Sequence, residues 1–92
     1  MLVGRRFVVA GRVQGVGFRY YTREVARREG LSGSVRNLDD RRVEIVVEGD
    51  AEAVTRFERA IRQGPSGARV DDVLVDLHPA TGRPSDFRIL PS

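Results

Sequence analysis

Residues 14–19 read QGVGFR and place two glycines and one arginine between two segments with regular hydrophobic patterns. Glycine readily adopts positive φ, and successive backbone N–H groups in such a turn can converge on an anion. The unpaired N–H groups at the start of a following helix add to the same site. Arg19 would lie in the first helical turn, where its guanidinium could bind an oxyanion through two hydrogen bonds. These residue types therefore permit a binding site for the phosphate of a small molecule.

The same six residues also fit a purely structural interpretation. The glycines could simply allow a tight turn between a strand and a helix, with Arg19 as a surface charge, and short motifs alone often mean no more than this. The pattern is not a Walker loop, because no Gly-Lys-Ser/Thr follows, and its glycine spacing differs from the dinucleotide-binding fingerprint. The loop taken alone therefore leaves both interpretations open.

Composition limits the classes of function. The chain has 92 residues and no cysteine, which excludes disulfides, thiolate nucleophiles and cysteine-based metal sites. No apolar run is long enough for a signal peptide or a membrane span. The net charge of +3 would help to attract a small anion. We therefore expect one soluble, cytoplasmic domain over residues 1–92, with no membrane partner.

The hydrophobic periodicity predicts the element order β-α-β-β-α-β followed by a short terminal strand. This order favours an α+β fold, the ferredoxin-like split βαβ sandwich, with two helices on one face of a four- to five-stranded, mainly antiparallel sheet. We expect Val73, Val75 and Leu77 on one face of the fourth strand, and Asp50 as the N-cap of the second helix. The predicted strands are Arg5–Val13, Leu31–Leu38, Arg42–Gly49, Val70–His78 and Asp86–Leu90, and the helices are Phe18–Glu29 and 51–63.

Two motifs carry a resemblance to a known family. Residues 11–19, GRVQGVGFR, resemble the acylphosphatase signature Gly-x-Val-Gln-Gly-Val-x-Phe-Arg. Residues 33–44, GSVRNLDDRRVE, resemble the second signature of that family, Gly-x-Val-x-Asn-x-x-Asp-Gly-x-Val-Glu, at the expected distance downstream. Two motifs in register are more specific than either one, and the resemblance covers essentially the whole chain. Arg41 departs from it, because it stands where the signature has a turn glycine and must accept a strained backbone or another turn type.

The resemblance implies hydrolysis of acyl phosphates to a carboxylate and inorganic phosphate. It implies two catalytic residues: Arg19 binds the phosphoryl group and Asn37 positions the attacking water. No residue of the sequence points to a metal or a covalent intermediate, so we expect no metal and no cofactor. The only partners expected are the small-molecule acyl phosphate and the phosphate product. The implied phosphate-binding residues are Gln14, Gly15, Val16, Gly17, Phe18 and Arg19.

Two alternatives belong to other classes of function. The first is a catalytically silent anion-binding or interaction module on the same fold, because acylphosphatase-like domains also occur within larger carbamoyl-transfer proteins. The start and end of the chain, close to the domain limits, favour the stand-alone form. Because no large apolar patch demands a partner, we expect a monomer. The second is RNA binding, which in this element order needs aromatic residues on two central strands. The strands FVVAGRV and VEIVVEG lack such an aromatic pair, so we expect no nucleic-acid partner.

Overall fold

The computed structural model describes all residues 1–92 and contains five strands and two helices. The predicted types and order of the elements are confirmed, and their ends shift by a few residues, as element boundaries commonly do. Neither helix is long and apolar enough to cross a membrane. The elements are β1 (Leu2–Arg12), α1 (Phe18–Arg28), β2 (Ser32–Asn37), β3 (Val43–Asp50), α2 (Ala51–Gln63), β4 (Arg69–Leu77) and β5 (Phe87–Ile89).

The strands form one sheet in the order β4-β1-β3-β2-β5. Strand β1 pairs antiparallel with β3 and β4, and β2 pairs antiparallel with β3, whereas β5 pairs parallel with β2. The mainly antiparallel, ferredoxin-like sandwich predicted from the sequence is therefore confirmed, with one parallel edge. Because β1 and β2 both run antiparallel to β3, their C-terminal ends lie at the same end of the sheet. That end carries the loop from residue 14 to residue 17.

The core lies between the helices and one face of the sheet. Helix α1 covers β2 and β5, while α2 covers β1, β3 and β4. Phe57 of α2 contacts Phe7 of β1 and Phe87 of β5, with ring centroids 6.1 and 6.3 Å apart, respectively. All three rings are fully buried. This aromatic cluster joins the second helix to both halves of the sheet. Burial of each such side chain stabilises the fold by roughly 1.5–3 kcal/mol.

The predicted face of β4 is confirmed, but this face is only partly buried. Val73, Val75 and Leu77 lie opposite Val9, Phe7 and Arg5 of β1 and share one face, as predicted. Only Val73 belongs to the core, because Val75 is 41% and Leu77 82% exposed. The alternation of the sequence defines the face of a strand, but burial depends on what covers that face. Strand β4 is at the edge of the sheet, and the helices leave its C-terminal half open.

The opposite face of the sheet is polar and carries a charged cluster. The Glu44 carboxylate accepts hydrogen bonds from Arg6 Nε at 2.7 Å and from Arg36 Nε at 2.8 Å. Arg6 also lies 3.3 Å from a carboxylate oxygen of Asp76. Burial acts to raise the pKa of Glu44, but the hydrogen bonds from Arg36 and Arg6 outweigh it, and the pKa lies below its usual value. The face therefore meets water through paired charges.

Candidate active site

The loop between β1 and α1 requires its glycines for backbone reasons. Gly15 and Gly17 have φ values of 75° and 77°, in the left-handed region that glycine enters without steric cost. A Cβ atom at either position would meet nothing within 4 Å, so close packing does not explain them. These two left-handed glycines thus allow the chain to turn directly from the strand into the helix.

Helix α1 begins without any side-chain cap. Gly17 is its N-cap residue, no side chain accepts from the first-turn N–H groups, and no acidic residue lies in the first turn. Helix α2 shows the contrast: Asp50 caps it by accepting from the Glu52 N–H at 3.2 Å. Unpaired N–H groups and the helix dipole make an uncapped N-terminus attractive to an anion. The start of α1 is therefore suited to bind a phosphate.

Arg19 lies in this first turn and is half-buried. No carboxylate lies within ion-pair distance of its guanidinium. It lines a depression of about 150 Å³ together with Gly15, Gly17 and Tyr20. A guanidinium without a protein partner beside the glycine turn keeps its planar pair of donors available for an oxyanion.

Asn37 ends β2 at the same end of the sheet as this loop. It lies opposite Val43 of β3, which in turn lies opposite Val9 of β1. Both valines are buried, so Asn37 belongs to the helix-covered face. Its Oδ1 is buried and has no hydrogen-bond partner, whereas buried acceptors are nearly always paired. Asn37 does not line the depression at Arg19; the two share an end of the sheet and not a common cavity.

Gln14 has a structural task that the sequence did not reveal. Its side-chain Nε2 donates to the carbonyl oxygens of Leu38 and Arg42, at 3.0 and 3.1 Å. These two residues flank the turn between β2 and β3. Only the backbone N–H of Gln14 is left for the anion-binding role predicted for the loop. A polar residue beside two glycines could have suggested such a contact, but its partners are 24 and 28 positions away.

Arg41 accepts the strained backbone. Its φ is 76°, the only positive φ outside glycine. The turn closes through hydrogen bonds from Arg41 N–H to the Leu38 carbonyl and from Leu38 N–H to the Arg42 carbonyl, at 3.2 and 2.8 Å. This is the three-residue hairpin loop that ends in a left-handed residue. The hydrogen bond from the Arg42 side chain holds the pKa of Asp40 below its usual value. The turn therefore holds Arg41 in a conformation that glycine would adopt without steric cost.

Comparison with known proteins agrees with the family resemblance of the two sequence motifs. Residues 5–89 match the family model described as Acylphosphatase, which spans both the loop and Asn37. A protein named Acylphosphatase from Rubrobacter xylanophilus is 52% identical over 84 residues, covering 91% of this chain and 76% of that protein. Another of that name from Pseudomonas paraeruginosa is 53% identical over 74 residues, covering 80% of this chain and 81% of that protein.

Comparison of the fold with solved structures gives the same result. The crystal structure of acylphosphatase from Bacillus subtilis superposes with a TM-score of 0.91 at 40% identity, covering 98% of this chain and 99% of that one. The match of the family model over most of the chain and the two relatives at about half identity agree with this superposition. Taken together, these findings show that the chain belongs to the acylphosphatase family.

Proposed function

We propose that the loop of residues 14–18, Arg19 and Asn37 carry out the activity of the family to which the chain belongs, the hydrolysis of acyl phosphates. The products are a carboxylate and inorganic phosphate. The observation that best supports these assignments is the geometry at the start of α1. There, an uncapped helix follows two left-handed glycines, and Arg19, without a protein partner, lies in the first turn.

The loop and Arg19 would hold the phosphoryl group. Backbone N–H groups of the loop and of the first turn supply donors whose position does not depend on a flexible side chain. Arg19 supplies a planar pair of charged donors that match two phosphoryl oxygens. In phosphoryl transfer the protein acts mainly by positioning and by stabilising the charge on the equatorial oxygens. The loop and Arg19 suit both tasks.

Asn37 would orient the attacking water. Its side-chain amide has both a donor and an acceptor for a water molecule, and its Oδ1 is not occupied by a hydrogen bond to the protein. The water oxygen forms a bond to phosphorus, the bond from phosphorus to the carboxylate oxygen breaks, and the leaving carboxylate takes the electron pair. No acidic residue occurs in the loop to act as a base, so a phosphoryl oxygen receives the proton of the water. A neutral amide is sufficient here because the carboxylate is already a good leaving group.

The alternative at this site is a silent anion-binding module. The relatives that match most of this chain are named Acylphosphatase, which favours the enzyme.

We also propose a single domain over residues 1–92 that acts as a monomer in the cytoplasm, without nucleic-acid or membrane partners. Sedimentation of the purified protein at several concentrations would test the monomer.

The test is hydrolysis of benzoyl phosphate, followed by the loss of its absorbance. The wild type should turn it over, and Arg19→Lys should lose most of kcat/KM because an ammonium lacks the planar fork. Loss of one preorganised donor commonly costs roughly 3–4 kcal/mol, or about 10²–10³-fold in rate. Arg59→Lys is the matched control, since Arg59 is exposed on α2 and has no protein partner. Normal turnover by Arg19→Lys would overturn the assignment.

A further inference from the structure

A second depression lies beside the phosphate-binding loop. It has a volume of about 310 Å³, larger than the depression at Arg19, and the two share Val13 on their walls. Three segments meet there: the end of β1, the start of β4 and the turn between β2 and β3. Its lining residues are Gly11, Arg12, Val13, Gln14, Arg41 and Arg69.

The depression is strongly positive. Three of its six lining residues are arginines, and no carboxylate lines it. Arg12 and Arg41 have no carboxylate within ion-pair distance. Arg69 is paired with Asp71, with 2.9 Å between Nε and Oδ1, so it contributes less of the net charge. Arg12 and Arg41 therefore leave a positive field, with no matching acid beside them, that an anion can relieve.

The backbone of Arg41 is the second, independent observation. Its φ of 76° is a conformation that an arginine adopts only with strain, and glycine would adopt it freely. Strained backbone of this kind concentrates at sites where it serves a function. Here the strained residue is the one that places a guanidinium on the wall of the depression, where the acylphosphatase signature has no side chain.

We propose that Arg12, Arg41 and Arg69 form a second anion subsite, which binds an anionic group on the acyl part of the substrate. The proposal rests on the proposed function, because the phosphoryl group must lie on the neighbouring loop. The acyl part then extends past Val13 and Gln14 into the basic depression. The subsite selects acyl phosphates that carry a second negative charge, such as a carboxylate, over neutral acyl phosphates of similar size.

The test compares 4-carboxybenzoyl phosphate with 4-methylbenzoyl phosphate at low ionic strength. The ring keeps the two groups apart, so the carboxylate cannot attack its own anhydride. The wild type should prefer the carboxylated substrate in kcat/KM. Arg41→Asn should reduce that preference about tenfold, the loss expected for one charge-assisted hydrogen bond. Asparagine tolerates the left-handed backbone, so this variant should fold, which thermal unfolding checks.

Two further variants separate charge from turn geometry. Arg41→Lys should retain part of the preference, because it keeps the charge, and Arg12→Gln should lower it in the same direction as Arg41→Asn. Arg59→Asn, on exposed α2, should leave the preference at the wild-type value. An unchanged preference in both Arg41→Asn and Arg12→Gln would overturn the subsite.

Failure of the proposed function gives a different result. If the wild type hydrolyses neither substrate, the catalytic proposal is wrong. The subsite is then tested by calorimetric binding of 4-carboxyphenylphosphonate and 4-methylphenylphosphonate. Tighter binding of the carboxylated compound, lost in Arg41→Asn, would support an anion subsite; equal binding of both compounds would overturn it.

Discussion

The side-chain amide of Gln14 donates a hydrogen bond to the main-chain carbonyl of Leu38, with 3.0 Å between nitrogen and oxygen. Leu38 directly follows Asn37 in the chain. The first residue of the proposed phosphate-binding loop is therefore hydrogen-bonded to the segment that carries the proposed water-positioning residue. A second hydrogen bond, to the Arg42 carbonyl at 3.1 Å, holds the other side of the same turn. The Gln14 side chain therefore links the two halves of the proposed site, in addition to the pairing of β1 and β2 with β3.

Gln14→Met should uncouple the loop from the turn. Methionine has a similar length but no donor, so both hydrogen bonds are lost. A small misplacement of reacting groups can cost up to about 100-fold, and we expect kcat on benzoyl phosphate to fall at least about tenfold while KM changes little. The free energy of unfolding should fall by about 1–3 kcal/mol. Steady-state kinetics and urea unfolding measure the two effects.

Gln63→Met provides the matched control for Gln14. Gln63 is exposed at the end of α2, so the same substitution there removes no buried contact. Its kinetics and stability should match the wild type. If Gln14→Met kept the wild-type kcat, the hydrogen bonds to the turn would have only a structural role.

Asn37→Ala should separate activity from stability. The substitution removes the proposed water-positioning amide, and we expect kcat to fall about 100-fold, with little change in competitive inhibition by phosphate. It also removes a buried acceptor that has no partner, so the protein should unfold at a denaturant concentration no lower than the wild type. A variant with normal kcat, or one that loses phosphate binding to the same degree as kcat, would contradict the role of Asn37.

Glu44 should contribute to the acid sensitivity of the fold. Its pKa is lowered in the folded protein, since the hydrogen bonds from Arg36 and Arg6 outweigh the opposing effect of burial. A lowered carboxyl pKa adds stability that is present above the unfolded pKa of about 4.3 and is lost as the pH falls through the folded pKa. Glu44→Gln should therefore be less stable than the wild type near neutral pH, and the difference should shrink below about pH 4.

Urea unfolding at several pH values between about 7 and 3 measures this difference. Glu24→Gln is the control, because Glu24 is exposed on α1 and has no ion pair with the protein. That variant should follow the wild-type curve throughout. A constant difference between Glu44→Gln and the wild type across the range would show that the ion pairs with Arg6 and Arg36 do not set the acid limb.

The order of the elements and the two motifs could be predicted because local chemistry determines them. Three signals depend only on residues a few positions apart in the chain: the alternating valines of β3, the apolar stripe of α2 and the N-cap Asp50. Burial along β4 could not be predicted in this way. The residues Val73, Val75 and Leu77 have the same pattern, yet their exposure differs because α2 covers the start of this edge strand and leaves its C-terminal half open, which the alternation of the strand does not encode.

The candidate site likewise has features that the sequence predicts and features that depend on the fold. Local patterns were sufficient to predict that glycines and an arginine lie between a strand and a helix, and that Asn37 lies near the end of the next strand, because these are properties of short segments. The hydrogen bond of Gln14 across the turn and the glycine-like backbone of Arg41 were seen only in the folded protein. The tertiary structure also brought the arginines of the basic depression together from three segments. Strand pairing joins residues that are far apart in the chain, and local periodicity does not specify such contacts.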